Sequence, residues 1–183
     1  MKQFNNNNAF TLTELLVICG IILILSAIIL ADYRVGERSF ALQRSAHKLA
    51  QDLRVAQELS MSAKAFDCVA ELGAGWKMKG YGIILDSTTE EKKHFYLLKP
   101  RCESGGSFKE FEDDDTVGEK ISLEKGVKIK TLTQNSLKIF FYPPEPEVDL
   151  GGLNTAEITI CLKTDEAKIK KIIINKTGLI NVE

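Results

Sequence analysis

The sequence predicts an α+β protein: a long N-terminal helix, membrane-spanning in its first half and amphipathic in its second, packed on an antiparallel β-sandwich-like C-terminal domain. Three observations carry this expectation. From Phe10 to Ala31 the chain is uncharged except at Glu14. From Glu37 to Leu72 it contains neither Pro nor Gly, so nothing in its backbone chemistry stops a helix. Beyond Lys64 the texture changes to short alternating or apolar runs separated by turn residues, the pattern of strands.

A chain of 183 residues has room for one folded domain beside a membrane segment. The formal net charge is −1. Lys2 and Glu14 cancel, so the chain from Asp32 onward keeps the same balance. Phosphate neutralisation needs a concentrated basic face, and this balance does not advertise one. The mean hydropathy of −0.06 averages an intensely apolar N-terminus with a polar remainder rich in Lys and Glu. His47 and His94 lack a neighbouring nucleophile that would define a triad. No HExxH, CxxC, P-loop or GxGxxG occurs, and the pairs Gly105–Gly106 and Gly151–Gly152 read as turns. The sequence therefore predicts no enzyme and no cofactor.

The N-terminal elements divide into residues 1–9, a leader, and 10–31, a transmembrane helix. At about 1.5 Å per residue, the run ending in LLVICGIILILSAIILA spans a hydrocarbon core about 30 Å thick. A secretory signal cut within the run, near Ser26 and Ala27, is the competing reading. The apolar stretch exceeds the roughly 7 to 15 residues of such a signal's core. Glu14 is the informative residue, because a carboxylate on a membrane helix is costly and marks a function with a partner. No Lys or Arg lies within a helical turn of it, so the partner comes from elsewhere. A cut between Ala9 and Phe10 would create an α-amino group four residues before Glu14, able to neutralise Glu14 of a neighbouring subunit. The bland alternative is a Glu that snorkels to the headgroups.

AFTLTELLV followed by a long apolar run resembles the processing motif of type IV prepilins and pseudopilins. The resemblance implies that a prepilin peptidase cuts before Phe10 and methylates its new amine, and that Glu14 guides docking of subunits into a filament. It also implies a single-pass protein of the bacterial cytoplasmic membrane, with its C-terminal domain outside the cytoplasm. Three features depart from the family: Ala9 stands where Gly is usual, Thr13 replaces an apolar residue, and the membrane run carries Gly20 but no Pro before Pro100.

Residues 32–64 continue the helix to about Ala63. Leu42, Ala46, Leu49, Leu53 and Ala56 recur at spacings of four and three, one apolar stripe along a helix. Arg34, Arg38, Arg44, Lys48 and Arg54 fall mostly off it, as solvated charges. Residues 65–183 form the β-rich domain, with strands expected near 67–72, 81–85, 94–99, 127–132, 136–142, 157–163, 169–175 and 179–182. EITICLK places Ile158, Ile160 and Leu162 on one face, with Thr159 and Cys161 on the other. Asn175 to Gly178 make a hairpin turn in which Gly178 is free to take positive φ. The order GYGIIL, LKIFFYPP, EITICL and KKIIINKTGLI resembles the strand series of GspH/FimT-type minor pseudopilins, which implies a long helix packed on a sandwich-like pair of sheets in a subunit at or near a filament tip.

Of four cysteines, Cys19 sits in the apolar run beyond reach of the others. Cys68, Cys102 and Cys161 permit at most one bridge among three pairings. Cys68 with Cys102 is favoured because both stand in loop-like surroundings, and three unpaired thiols stand equally beside it. The run Glu110, Phe111, Glu112, Asp113, Asp114, Asp115 offers hard oxygens, and related pseudopilins sometimes bind calcium. Asp113 and Asp115 are the candidate ligands, against the favoured reading of a solvated acidic loop without EF-hand spacing. The leading function is a minor pilin or pseudopilin of a type II secretion pseudopilus or type IV pilus. The alternative is a DNA-binding minor pilin of a competence apparatus, for which Lys163, Lys168, Lys170, Lys171 and Lys176 are the basic candidates, interspersed with Asp165 and Glu166.

Overall fold

The computed structural model describes residues 11–62, 66–111, 117–144 and 147–183. The chain forms two compact units, Met1–Arg38 and Ser39–Glu183. One helix, α1 (Leu12–Met61), contributes to both. After it come the short helix α2 (Cys68–Leu72), β1 (Lys77–Asp86), a 3₁₀ turn (Lys92–His94), β2 (Phe95–Ser104), β3 (Ser107–Glu110), β4 (Glu119–Ser122), β5 (Val127–Leu132), β6 (Ser136–Tyr142), β7 (Glu147–Asp149), β8 (Thr155–Leu162), β9 (Ile169–Asn175) and β10 (Ile180–Val182). The class is α+β.

From Leu12 to Ile29 α1 is apolar on every side but for Glu14, with Leu12, Leu16, Leu23 and Ile29 all well over half exposed. A helix hydrophobic all round has no polar face to give water, the condition of a membrane span. From Ala41 onward the same helix is amphipathic. Leu42, Ala46, Leu49, Leu53 and Ala56 are buried, joined by Ala41 and Ala50. Each buried Leu contributes about 1.5–3 kcal/mol relative to exposure.

The strands make two antiparallel sheets. One has the order β3-β2-β1-β6-β7, with β4 also paired to β2; the other has the order β10-β9-β8-β5. A single core cluster joins the α1 stripe to Ile83, Leu85, Tyr96 and Ile139 of the first sheet and to Ile129, Ile158, Ile160, Ile172 and Ile174 of the second. Polar ties accompany it. Ser60 Oγ accepts from the Tyr81 amide at 2.8 Å and donates to the Ala56 carbonyl at 3.0 Å. Tyr96 donates its hydroxyl to Asp52 at 2.5 Å. Arg44 grips Glu124 with two bonds of 3.0 and 2.9 Å. In the hairpin between β9 and β10, Asn175 Oδ1 accepts from the amides of Thr177 and Leu179, and Gly178 takes φ +79°.

Several boundaries differ from the sequence expectation. The strand expected at 67–72 is helix α2: Asp67 caps it by accepting from Val69 N and Ala70 N, and the Gly73 amide closes it on Val69 O. Helix α1 ends at Met61 rather than about Ala63. Strands β3, β4 and β7 are additional, and β1 and β2 are each ten residues long.

Candidate functional site

The segment that carries the functional question begins at Thr11. Leu15 N bonds to Thr11 O at 3.2 Å, the first turn of α1. Thr11 Oγ1 accepts from Glu14 N at 3.3 Å and lies 3.1 Å from Thr13 Oγ1. Thr11 is therefore the N-cap and Glu14 the third helical residue, the spacing of a capping box. Thr-x-x-Glu was readable in the sequence and sets a second role for Glu14: a carboxylate in the first turn, where the unpaired amides and the helix dipole favour negative charge. Glu14 is exposed, and no ion pair to it occurs among the described residues. Leu12–Ile29 is long and apolar enough to cross a membrane and is nowhere buried within the chain. Ala9 and Phe10 lie outside the described residues.

The cysteines divide as two and two. Cys68 and Cys102 are bonded at 2.02 Å with Cα atoms 6.0 Å apart, while Cys19 is exposed and Cys161 buried, both free. The surroundings are not the loops the sequence suggested. Cys68 opens α2 and Cys102 stands in β2, where it pairs in register with Met78 and Lys109. Burial raises the Cys161 thiol above its ordinary range, which disfavours the nucleophilic thiolate.

Asp113 and Asp115 lie outside the described residues, and among those described no cluster of His, Cys, Asp or Glu could hold a metal. His47 lies in an open depression of about 420 Å³ lined by Phe40, Gln43, Arg44, Lys48 and Gln51, all from one face of α1. His94 is half-buried in the 3₁₀ turn, its Nδ1 without a hydrogen-bond partner. In the second sheet the lysines interlock with acids: Lys171 with Glu157 and Lys128 with Glu166, both at 2.7 Å. Glu157 and Glu166 are held below the usual carboxylate range by those lysine hydrogen bonds.

One polar cluster went unread in the sequence. Arg101, almost wholly buried, lies 4.1 Å from the Phe140 ring centroid and 4.8 Å from that of Phe108. It donates to Asp149 Oδ2 at 2.7 Å and to the Tyr142 hydroxyl. Burial pushes the Tyr142 phenol up to about 12, with Arg101 opposing and Asp149 adding. Burial alone would raise Asp149 too, but the Gly151 amide, Arg101 and Tyr142 outweigh it and hold the carboxyl below its ordinary range. Gly80 and Gly82 make room for this layer: the Phe140 ring lies against Gly82, where a Cβ would collide with it. The cluster anchors the outer face of the first sheet.

Searched against family models, curated proteins and solved structures, the chain matches none.

Proposed function

We propose that the chain is a type IV pilin-like subunit, a minor pilin or pseudopilin drawn from the membrane into a secretion pseudopilus or a type IV pilus. In this reading α1 anchors the precursor, the peptide bond between Ala9 and Phe10 is cut, and the stripe from Leu42 to Ala56 joins the helix to a sandwich-like pair of sheets. The observation that carries it is the placing of Glu14: the lone charge of the apolar span Leu12–Ile29, in the first turn of α1 and without an ion-pair partner among the described residues. A carboxylate there needs a cation from outside the chain, and the amine freed at Phe10 of a neighbour supplies one. The Thr11 cap fixes the first turn and leaves the carboxylate exposed.

Mass spectrometry of the mature protein tests the processing step: an N-terminus at methylated Phe10 supports it, and Met1 on the mature chain refutes it. Glu14→Ala should leave membrane insertion intact and cut incorporation into filaments by roughly tenfold or more, the value of an ion pair of about 1.4 kcal/mol or better in a poorly solvated setting. Unaltered assembly would count against the pairing. Of the basic candidates for the nucleic-acid alternative, Lys171 pairs with Glu157 at 2.7 Å, while Lys163, Lys168 and Lys176 are exposed.

A further inference from the structure

Apart from a small cluster around Phe140 on the outer face of the first sheet, the described residues form two separate cores, and a disulfide crosses the smaller one. The main core joins α1 to both sheets. The smaller contains Cys68, Cys102, Phe111 and Val117, with Phe66, Leu72, Trp76 and Met78 packed on it. The boundary between the two is physical. Near the end of α1, Ser60 binds the backbone of Tyr81, and the helix stops at Met61. One residue further along β1 the ladder to β2 slips, with a register shift between Met78 and Gly80. On one side of that bulge Gly80 to Ile84 pair with Arg101 to Leu97, and Ile83 belongs to the main core. On the other side Lys77 and Met78 pair with Glu103 and Cys102, where the apolar cover comes from α2 and Trp76. Bulges interrupt pairing and so mark places where a ladder divides.

Little holds the second cover apart from the bridge. Helix α2 has five residues, far below the length at which a helix persists alone. Its local support is the Asp67 cap and the Gly73 closure, and its tertiary support is the edge-on contact of Phe66 with Phe111, 5.6 Å between centroids, together with the covalent link from Cys68 to Cys102.

We propose that Cys68–Cys102 is a redox latch on this smaller core. When it is reduced, the segment from Phe66 to Met78 opens as a unit and uncovers Leu72, Trp76, Met78 and Phe111, while the main core stays folded. The chemistry is thiol–disulfide exchange with a dithiol reductant. One reductant thiolate attacks a protein sulfur to give a mixed disulfide, and the second reductant thiolate displaces it. Cys68 and Cys102 leave with two electrons and take up two protons, and the reductant ends as its own disulfide. Both protein sulfurs are buried, so attack passes through transient opening of the same segment. With Gly80 still paired to Arg101, the loop that the bridge closes in this opening runs only from Cys68 to Gly80, about a dozen residues, and closing it shifts the opening equilibrium by roughly 100-fold in the chain-entropy account. Reduced chain thus presents an apolar surface that oxidised chain hides, and completion of the domain is tied to an oxidising compartment. None of this depends on the filament reading.

Trp76 is the single tryptophan and sits in the smaller core, so its fluorescence reports that core alone. The full chain in detergent micelles is treated with dithiothreitol, and thiols are counted in denaturant before and after. The count should rise from two, Cys19 and Cys161, to four. With it Trp76 emission should move to the red, and tryptic cleavage at Lys77 and Lys79 should accelerate by roughly 100-fold or more. Amide-exchange protection of β8 and β9 should persist, and reoxidation should reverse the changes. The variant with Cys68→Ser and Cys102→Ser should show the opened signature without reductant. Four thiols in the untreated protein, an unmoved emission after full reduction or in the double variant, or loss of protection in β8 and β9 together with the Trp76 shift would each overturn the proposal.

Discussion

Removing the Tyr96 hydroxyl with Tyr96→Phe isolates one bond between α1 and the first sheet. The ring is fully buried and stays so in the variant, leaving the packing of the core unchanged, while the 2.5 Å bond to Asp52 disappears. A hydrogen bond to a charged group contributes about 1.5–3 kcal/mol. Asp52 is only half-buried, so water can replace the lost donor and the expected cost falls near the lower end, about 1.5 kcal/mol. For a domain of this size that lowers the melting temperature by about 3–6 °C. Thermal unfolding of the full chain in micelles, followed by circular dichroism, measures it. A cycle with Asp52→Asn and the double variant assigns the loss to the pair, with an expected coupling of about 1–2 kcal/mol. There is also a pH signature. Burial first, and the Asp52 carboxylate second, raise the Tyr96 phenol above its ordinary range. Its contribution is therefore full below the unfolded value of about 10 and lost as pH rises beyond that value. Tyr96→Phe should blunt that alkaline loss. A coupling below about 0.5 kcal/mol, within the error expected of independent sites, would refute the reasoning.

Two further outcomes follow from the outer face of the first sheet. Gly82→Ala should destabilise the domain by about 3 kcal/mol or more, as severe overpacking does, because the added methyl meets the Ile139 carbonyl and the Phe140 ring; Gly20→Ala, with open space around it, is the control in the same melting assay. Asp149 is held below its ordinary range in the folded chain, so its stabilisation is present above the unfolded value of about 3.9 and is lost as pH falls through the lower folded value. Asp149→Asn should flatten that acid limb of a denaturation profile, and an unchanged limb would remove Asp149 from it.

The sequence read best where an apolar or alternating run is bounded by turn residues, and read short the ten-residue β1 and β2, expected only at 81–85 and 94–99. Strands β5, β6 and β9 coincide with the runs 127–132, 136–142 and 169–175, since alternation of Ile and Lys or a solid IFF block leaves only one assignment. The stripe Leu42 to Ala56 was legible for the same reason. Strands β3 and β4, four residues each of mostly polar type, and three-residue β7 owe their state to pairing with β2 and β6 rather than to any period of their own. The segment 67–72 misled because CVAEL carries apolar residues too few to fix a period; its Asp67 cap and Gly73 stop were the better signals. At the candidate site, Glu14 was conspicuous as a charge in an apolar run. Its relation to Thr11 was equally present in TLTE, the spacing at which the Thr11 hydroxyl accepts from the Glu14 amide. Phe140 and Tyr142 alternate on one face of β6 and Asp149 lies in the adjoining β7, but Arg101 stands 41 residues before Tyr142, so only the register of β2, β1 and β6 brings it to them.

The order of strands has a kinetic consequence. The chain lays down β1 to β4 in the first sheet, crosses to place β5 in the second, returns for β6 and β7, and crosses again for β8 to β10. Neither sheet is built from an uninterrupted run of strands. Leu49 and Leu53 of α1 share their core with Ile172, Ile174 and Ile180, which are synthesised long after them. During translation the apolar stripe of the helix must therefore wait, uncovered, for the C-terminal strands, and contacts of such long sequence separation close slowly. Removal of the β9–β10 hairpin would deprive that stripe of part of its cover, so these late strands time the folding of the helix that precedes them.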